Sequence, residues 1–292
     1  MLSMVYNYPM RKTKPKTKIT VALSGGVDSA VSAAILLEQG YDVTGIFMKN
    51  WSGEDFSLNS DCPWEKDQQD AEDVCKTLGI PFKSVNFEKQ YRDIVVNYFF
   101  DEYSRGRTPN PDVLCNKEIK FKLFLQYATE FGAELIATGH YARIIHDQHG
   151  FKLLKGVDNN KDQSYFLHRL NQEQLSKSLF PIGELQKSEV RDLAKKYKLP
   201  NAKKKDSQGI CFIGKIDVQD FLRENIHVKT GDIKDIDTDI TVGKHDGVMF
   251  YTIGQREGIG IGGAGEPYYV VSKDSENNIL YVAKGKDNPA LF

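Results

Sequence analysis

A glycine turn between a strand-like run and a helix-like run is the first candidate for chemistry. Ser24-Gly-Gly-Val-Asp-Ser29 follows the β-branched run Ile19–Leu23 and precedes a helix-forming run from Ala30 to Gln39. The first turn of such a helix has unpaired N–H groups and the positive end of the helix dipole, so it attracts anions. Gly25 and Gly26 let a phosphate approach the backbone closely. The turn therefore predicts a phosphate site.

Asp28 indicates which phosphate compound this is. A carboxylate beside phosphates suits a divalent cation between them, so we expect Mg²⁺ with a nucleotide pyrophosphate. The turn matches neither GxxxxGK[ST] nor GxGxxG, which argues against a P-loop NTPase and a dinucleotide-binding fold. The alternative is an ordinary turn in which Asp28 or Ser29 caps the helix.

Two cysteines are the second candidates. Cys115 lies close to Lys117, and Cys211 follows the run Lys203–Lys205. Nearby positive charge lowers the pKa of a thiol and makes it reactive. The alternative is that each cysteine is a small buried apolar side chain. The lysine run has two readings as well, a solvated charge run or a phosphate-contacting patch beside Cys211.

The other cysteines and the overall composition set limits. Cys75 has helical spacing from Leu78 and is predicted to pack in a core, and Cys62 has no reactive context. The four cysteines form no CxxC pair, which suits a reducing, cytoplasmic location. The formal net charge of −1 means that nucleic acid must bind through local patches. No apolar run has the length of a membrane helix, and no secretory signal is visible.

The order of predicted elements indicates an α/β fold with a parallel sheet. Predicted strands, including one over Phe82–Asn86, alternate with predicted helices as far as a strand over Leu135–Thr138. The two prolines in residues 103–116 predict a loop there. We divide the chain into a basic tail (1–17), a nucleotide-binding catalytic domain (18–215) and a small mainly-β domain (216–292). In the last of these, short strands are predicted at Val248–Thr252, Tyr268–Ser272 and Ile279–Ala283. The tail has two further readings, a weak nucleic-acid contact or a remnant of a targeting segment.

Five longer motifs carry a family resemblance over residue 18 to the C-terminus. The turn is similar to the SGGxDS loop of the PP-loop ATP pyrophosphatases, which split ATP between its α and β phosphates. The motifs resemble those of the tRNA-specific 2-thiouridylase (MnmA) family. They are Gly106–Phe121, Ala137–Arg143, Asn160–Leu167, Lys204–Gly214 and Tyr251–Gly263.

The resemblance implies ATP-dependent 2-thiolation of the wobble uridine of tRNA. The C2 oxygen is adenylated, and sulfur from a cysteine persulfide then replaces it. The implied nucleotide-binding residues are Ala22, Leu23, Ser24, Gly25, Gly26, Val27, Asp28, Ser29, Met48 and Gly139, with Asp28 as a metal ligand for Mg²⁺. The implied tRNA-binding residues are Asn110, Pro111, Asp112, Lys161, Asp162 and Gln163, the first three at the target base.

The resemblance also implies roles for the cysteines and for a partner. Cys115 is the implied nucleophile and Cys211 the implied persulfide carrier. Cys115 either releases sulfide from that persulfide, leaving a Cys115–Cys211 disulfide, or the persulfide attacks the base directly. Asp112 is a general base or an acceptor at the base edge. Sulfur is expected from a cysteine desulfurase or a sulfur-relay protein.

Rival interpretations remain at this point. Another PP-loop enzyme, adenylating a carboxylate or a base for a non-sulfur nucleophile, needs neither Cys115 nor Cys211. A protein that binds RNA and retains the loop without activity is a second rival. A redox or metal protein is disfavoured by the cysteine spacing. Family members continue into a further β-barrel domain, whereas this chain stops at Phe292, so we expect ATP binding to survive and tRNA binding to be affected.

Overall fold

The computed structural model describes residues 16–52, 64–206, 218–226, 229–262 and 265–292. Cys62 and Cys211 therefore lie outside the described residues. The described chain divides into two compact units. The first comprises the described parts of Met1–Lys49, Pro63–Asn86 and Asn116–Ser207, and the second those of Asn50–Cys62, Phe87–Cys115 and Gln208–Phe292. The domain division at residue 215 stays a prediction.

Helices and strands alternate through the first half of the chain. The strands are β1 (Lys18–Leu23), β2 (Asp42–Lys49), β3 (Phe82–Asn86), β4 (Leu135–Ala137), β5 (Ala142–Asp147), β6 (Gly150–Lys155), β7 (Ser178–Leu179), β8 (Gly231–Asp235), β9 (Thr241–His245), β10 (Tyr268–Asp274) and β11 (Ile279–Lys284). The α-helices are α1 (Val27–Glu38), α2 (Trp64–Leu78), α3 (Glu88–Tyr91), α4 (Asn97–Ser104), α5 (Pro111–Leu114), α6 (Phe124–Glu130), α7 (Gln172–Ser176), α8 (Lys187–Lys196) and α9 (Val218–Asn225). No helix among the described residues is long and apolar enough to cross a membrane.

A parallel sheet forms the centre of the first unit and confirms the predicted fold class. Its strand order among the described residues is β3-β2-β1-β4-β7, and each neighbouring pair is parallel. Strand β1 is central and almost entirely buried, as its β-branched run requires. Because β1, β2 and β4 are parallel, the residues that follow them meet at the same edge of the sheet.

Cys75 belongs to the core beneath this sheet. Its side chain is buried in the cluster that contains Val21 and Phe47, as its helical spacing predicts. Burial raises the pKa of the Cys75 thiol to about 12. This thiol therefore stays protonated at neutral pH and serves packing.

One predicted loop is partly wrong, because a helix begins inside residues 103–116. Asn110 caps that helix by accepting a hydrogen bond from Val113 N at 3.2 Å, and Pro111 occupies the first helical position. A proline there loses no hydrogen bond, since the first N–H groups of a helix have no partner within it. The helix continues from α5 through a π-helical segment, Cys115–Leu123, into α6.

The second unit contains a mixed β-sheet, with both parallel and antiparallel pairs of strands, in the order β10-β11-β8-β9. Its core includes Ile233, Val270, Leu280 and Val282. The predicted strands near 268–272 and 279–283 are confirmed as β10 and β11. The predicted strand over 248–252 is wrong, because Val248–Phe250 forms a short 3₁₀ helix. This helix buries Val248 and Phe250, the alternate apolar residues that suggested a strand.

Candidate active site

The glycine turn lies where the sequence predicts it, between β1 and α1 at the carboxyl edge of the sheet. Gly25 has φ of 72°, a left-handed conformation that favours glycine. A Cβ at Gly25 would also lie 2.8 Å from the Cα of Asp67 in α2, well inside contact distance. Two separate reasons therefore require glycine at position 25: the backbone conformation and the lack of space for a side chain.

A small set of hydrogen bonds holds the turn in shape. The Ser29 hydroxyl accepts from Ser24 N and donates to the Gly26 carbonyl, both at 3.2 Å. The Asn201 amide donates to the Gly25 carbonyl at 2.9 Å. Because C=O and N–H point in opposite directions across a trans peptide, this bond also fixes the direction of the Gly26 N–H. The shape of the turn is thus set by side chains inside and outside it.

The start of α1 has the N–H groups that suit an anion. Its N-cap residue, Gly26, has no side chain and gives these groups no capping hydrogen bond. The helix dipole adds a positive potential at the same place. The alternative reading, in which Asp28 or Ser29 caps α1, is not what the geometry shows.

Met48 and Gly139 lie at the same edge as the turn. Met48 follows Phe47, which is paired with Leu23 at the end of β1. Gly139 follows β4, and a Cβ there would lie 2.6 Å from Ser29 N and 2.7 Å from the Asp28 carbonyl carbon. The structure therefore brings the predicted nucleotide residues of β1, α1, β2 and the β4 loop together.

Asp28 is held by partners that are distant in sequence. Its carboxylate accepts hydrogen bonds from Lys187 Nζ at 2.7 and 2.9 Å and from the Tyr141 hydroxyl at 2.9 Å. Lys187 also pairs with Asp206 at 2.7 Å. Among the described residues, no group of three or more His, Cys, Asp or Glu side chains could hold a metal ion. The metal role of Asp28 stays a prediction.

Asp206 is the centre of an ion-pair network next to the turn. It pairs with Lys161 at 2.7 Å and Arg191 at 2.6 Å in addition to Lys187. Burial alone would raise the pKa of Asp206, but hydrogen bonds from Lys161 and Lys187 lower it to about 2. The carboxylate is therefore ionised throughout the neutral range.

Replacing Asp206 with asparagine is expected to lower stability at neutral pH by roughly 1–3 kcal/mol, because cations lose a partner in a partly buried site. The pKa of Asp206 is lower in the folded state than in the unfolded state, where it is about 4. The carboxylate therefore gives its full stabilisation above about pH 4 and loses it as the pH falls toward 2. The difference between wild type and Asp206→Asn in urea unfolding should therefore shrink as the pH falls from 4 to 2. Asp192→Asn, which removes an exposed carboxylate paired with Lys195, is the control. A difference independent of pH contradicts this account.

The predicted tRNA residues of the 160s have internal partners. Lys161 pairs with Asp206, and Gln163 Oε1 accepts from Tyr141 N at 3.0 Å. Asp162 accepts from Gly156 N at 3.0 Å and from the Ser164 hydroxyl at 2.9 Å. Asp162 and Gln163 thus shape this segment, and Lys161 joins it to the Asp206 network.

The residues predicted at the target base lie around one helix start in the second unit. Pro111 is buried, and the side chain of Asn110 forms the cap described above. Asp112 has a buried Oδ1 atom with no hydrogen-bond partner among the described residues. Cys115 is 1% exposed, forms no disulfide with another described cysteine and begins the π-helical segment. The catalytic roles of these residues stay predictions, as does that of Cys211.

Four residues of the site escaped the sequence analysis: Tyr141, Lys187, Asn201 and Asp206. The first three make hydrogen bonds to residues of the turn that are 113 to 176 positions away in sequence, a separation that no local pattern covers. Asp206 did carry a signal, since a carboxylate directly after three lysines suggests an internal ion pair. Within that lysine run, Lys204 pairs with Asp67 and Asp70.

Comparison with known proteins defines the class first. The family described as "tRNA methyl transferase HUP domain" matches residues 17–215, and the one described as "tRNA methyl transferase PRC-barrel domain" matches residues 219–284. The chain thus joins a HUP nucleotide-binding domain to a PRC-barrel domain. The structure of NMN synthetase from Francisella tularensis is similar over 70% of this chain and 72% of that one, with a TM-score of 0.43 and 19% identity.

Curated relatives then narrow the class to a family. A Bacillus licheniformis protein named tRNA-specific 2-thiouridylase MnmA is 56% identical over 97% of this chain and 75% of its own length. A Bacillus subtilis protein of the same name is 54% identical over 97% of this chain and 76% of its own length. This chain belongs to the tRNA-specific 2-thiouridylase (MnmA) family.

Proposed function

We propose that this chain catalyses ATP-dependent 2-thiolation of the wobble uridine of tRNA. The observation that carries the proposal is identity above 50%, over 97% of the chain, to proteins named for this activity. The uncapped helix N-terminus beside the Ser24–Ser29 turn supports ATP as the co-substrate. The family descriptions refer to methyl transfer, but the relatives match nearly the whole chain and are the closer guide.

The proposed chemistry replaces a poor leaving group with a good one. Uridine O2 attacks the α-phosphorus of ATP, and the bond to pyrophosphate breaks. Sulfur then forms a bond to C2, the C2–O bond breaks, and AMP leaves with the oxygen of the uridine. In the direct route, the persulfide on Cys211 attacks C2, and Cys115 then attacks the Cys211 sulfur, which frees thiouridine and leaves a disulfide. An external thiol reduces that disulfide before the next cycle.

We assign nucleotide binding to the turn Ala22–Ser29, with Met48 and Gly139 alongside. The N–H groups at the start of α1 suit the phosphates. Gly139 approaches Ser29 and Asp28 so closely that a side chain at this position would clash with the start of α1.

Mg²⁺ on Asp28 would compete with the ammonium group of Lys187 for the same carboxylate oxygens. Both carboxylate oxygens of Asp28 are bonded to Lys187. Carboxylates are hard oxygen ligands that Mg²⁺ prefers, usually together with substrate phosphates and water. Asp28 can therefore contribute one ligand once Lys187 has another anionic partner, and the remaining ligands come from ATP and water. The ion would neutralise charge on the polyphosphate.

The proposed sulfur chemistry rests on Cys115 and Cys211. Cys115 is a buried cysteine on the helix that also carries Asp112. The unpartnered Oδ1 of Asp112 suits the N3–H donor of uracil, and the same atom suits a general base. Both roles remain open for Asp112. Direct persulfide attack and released sulfide likewise remain open.

We propose that tRNA contacts Asn110, Pro111 and Asp112 at the flipped base, and Lys161, Asp162 and Gln163 elsewhere. Flipping is needed because a stacked base cannot reach a catalytic pocket. The sulfur donor is proposed to be a cysteine desulfurase or a sulfur-relay protein.

The test is nucleoside mass spectrometry on unmodified tRNA incubated with the protein, ATP, Mg²⁺ and a sulfide source. We expect 2-thiouridine with the wild type and none without ATP. A product that appears without ATP, or AMP release with no thiouridine under any sulfur source, contradicts the proposal. The second of these outcomes would favour the alternative, a PP-loop enzyme with a non-sulfur nucleophile. No described feature favours that alternative now.

A further inference from the structure

Lys187 lies at the phosphate end of the proposed nucleotide site, although no local pattern marks it. Its ammonium group is 2.7 and 2.9 Å from the two carboxylate oxygens of Asp28. Asp28 is the second residue of α1, within the helical turn whose N–H groups form the anion site. An anion that reaches that turn therefore comes within reach of the Lys187 side chain.

The surroundings of Lys187 hold the ammonium group in place without Asp28. Asp206 accepts from it at 2.7 Å and is itself fixed by Lys161 and Arg191. The ring of Tyr141 lies 5.7 Å from the ammonium nitrogen. The side chain is 16% exposed, so it is largely immobilised yet still open on one side. A cation in such a setting is preorganised for a ligand.

A divalent cation on Asp28 would weaken the bond between Asp28 and Lys187. The metal ion and the ammonium group would share the same two oxygens, and the two cations repel each other at that distance. Phosphate oxygens are strong acceptors for a lysine and are the anions that would arrive with the metal ion. If a phosphate oxygen replaces the carboxylate of Asp28, Lys187 still has two anionic partners, the phosphate and Asp206.

We propose that Lys187 binds the polyphosphate of ATP, exchanging Asp28 for phosphate oxygens, and that Asp206 is the positioning residue that holds it there. The inference rests on the proposed use of ATP and adds a binding residue and its support to that site. A rival view makes Lys187 only a structural counter-ion of two aspartates. The two views differ in how affinity depends on the number of phosphates.

The experiment measures the affinity of adenosine, AMP, ADP and ATP for wild type, Lys187→Met, Lys187→Arg and Asp206→Asn by titration calorimetry. For Lys187→Met we expect ATP affinity to fall at least about 10-fold and adenosine affinity to stay within about twofold, because a charged hydrogen bond to phosphate is lost. Lys187→Arg should recover part of the loss. Asp206→Asn should show a smaller loss that also grows with phosphate number.

Lys196→Met is the matched control, because Lys196 lies on the same helix and pairs with Glu38. Its nucleotide affinities should equal those of wild type. Equal weakening of all four ligands by Lys187→Met, or no change for ATP, overturns the proposal. Wild type that binds no ATP overturns this inference and the proposed function together. Wild type that binds ATP but makes no thiouridine overturns the function alone, and the phosphate series still decides the role of Lys187.

Discussion

Replacing Gly25 with alanine is expected to remove measurable ATP binding, with a loss of at least about 100-fold in affinity, or roughly 2.8 kcal/mol. A Cβ at this position meets the backbone of Asp67, which belongs to a helix and cannot move aside cheaply. The left-handed backbone of Gly25 adds roughly 1–2 kcal/mol of strain for any L-residue. The turn must therefore change shape, and the Gly26 N–H loses its direction.

Gly40→Ala separates the two causes. Gly40 is also left-handed, with φ of 87°, but a Cβ there meets nothing within 4 Å. Gly40→Ala should lose about 1 kcal/mol of stability and keep wild-type ATP affinity. ATP affinity is measured by calorimetry and stability by urea unfolding. Wild-type ATP affinity in folded Gly25→Ala would falsify the assignment of the turn as the nucleotide site.

The second large effect is expected at Cys115. Cys115→Ala should lower 2-thiouridine formation at least about 1000-fold, the scale on which loss of a nucleophile slows an enzyme. ATP affinity should not change, because Cys115 is not among the residues assigned to the nucleotide site. The measurement is single-turnover formation of thiouridine, with ATP affinity determined on the same samples.

Cys75→Ala is the matched control for Cys115→Ala. Both side chains are 1% exposed, so each substitution leaves a cavity of similar size. Cys75 has its thiol pKa raised to about 12, and its role is packing. It should lose about 1–2 kcal/mol of stability and retain thiolation per folded molecule. Equal thiolation by the two variants would show that Cys115 has no chemical role.

The short-range parts of this fold could be predicted from sequence. Strand β1, the turn and helix α1 are contiguous, and each shows its own pattern of apolar periodicity or glycine. Strand β3 was predicted with its observed bounds, Phe82–Asn86. In these elements, the conformation that the local sequence prefers is also the one that packs in the core. The sequence pattern alone was therefore sufficient to predict them.

The errors arose where one pattern fits two structures. Pro111 predicts a loop by its residue type. Proline is also favoured at the first position of a helix, however, when a capping residue such as Asn110 precedes it. Val248 and Phe250 alternate as in a strand, but both are buried by a 3₁₀ turn after Gly247, whose φ is 149°. Periodicity over three residues does not distinguish these conformations.

The electrostatic part of the site could not be predicted locally. The bond between Lys187 and Asp28 joins residues 159 apart, and that between Tyr141 and Asp28 joins residues 113 apart. Such pairs depend on how α8 and the β4 loop pack around α1, which no short window contains. Sequence indicated Asp28 as a metal ligand, and only the structure shows that the ammonium group of Lys187 bonds to its carboxylate.

Oxygen labelling tests the central claim, adenylation of the uridine C2 oxygen, most directly. A tRNA with ¹⁸O at C2 of the wobble uridine is incubated with the protein, ATP, Mg²⁺ and a sulfur source, and the AMP is analysed by mass spectrometry. The account predicts one ¹⁸O atom in AMP for each 2-thiouridine formed, because the C2–O bond breaks and the P–O bond remains. Unlabelled AMP accompanied by 2-thiouridine would show that ATP activates some other group and would contradict the account.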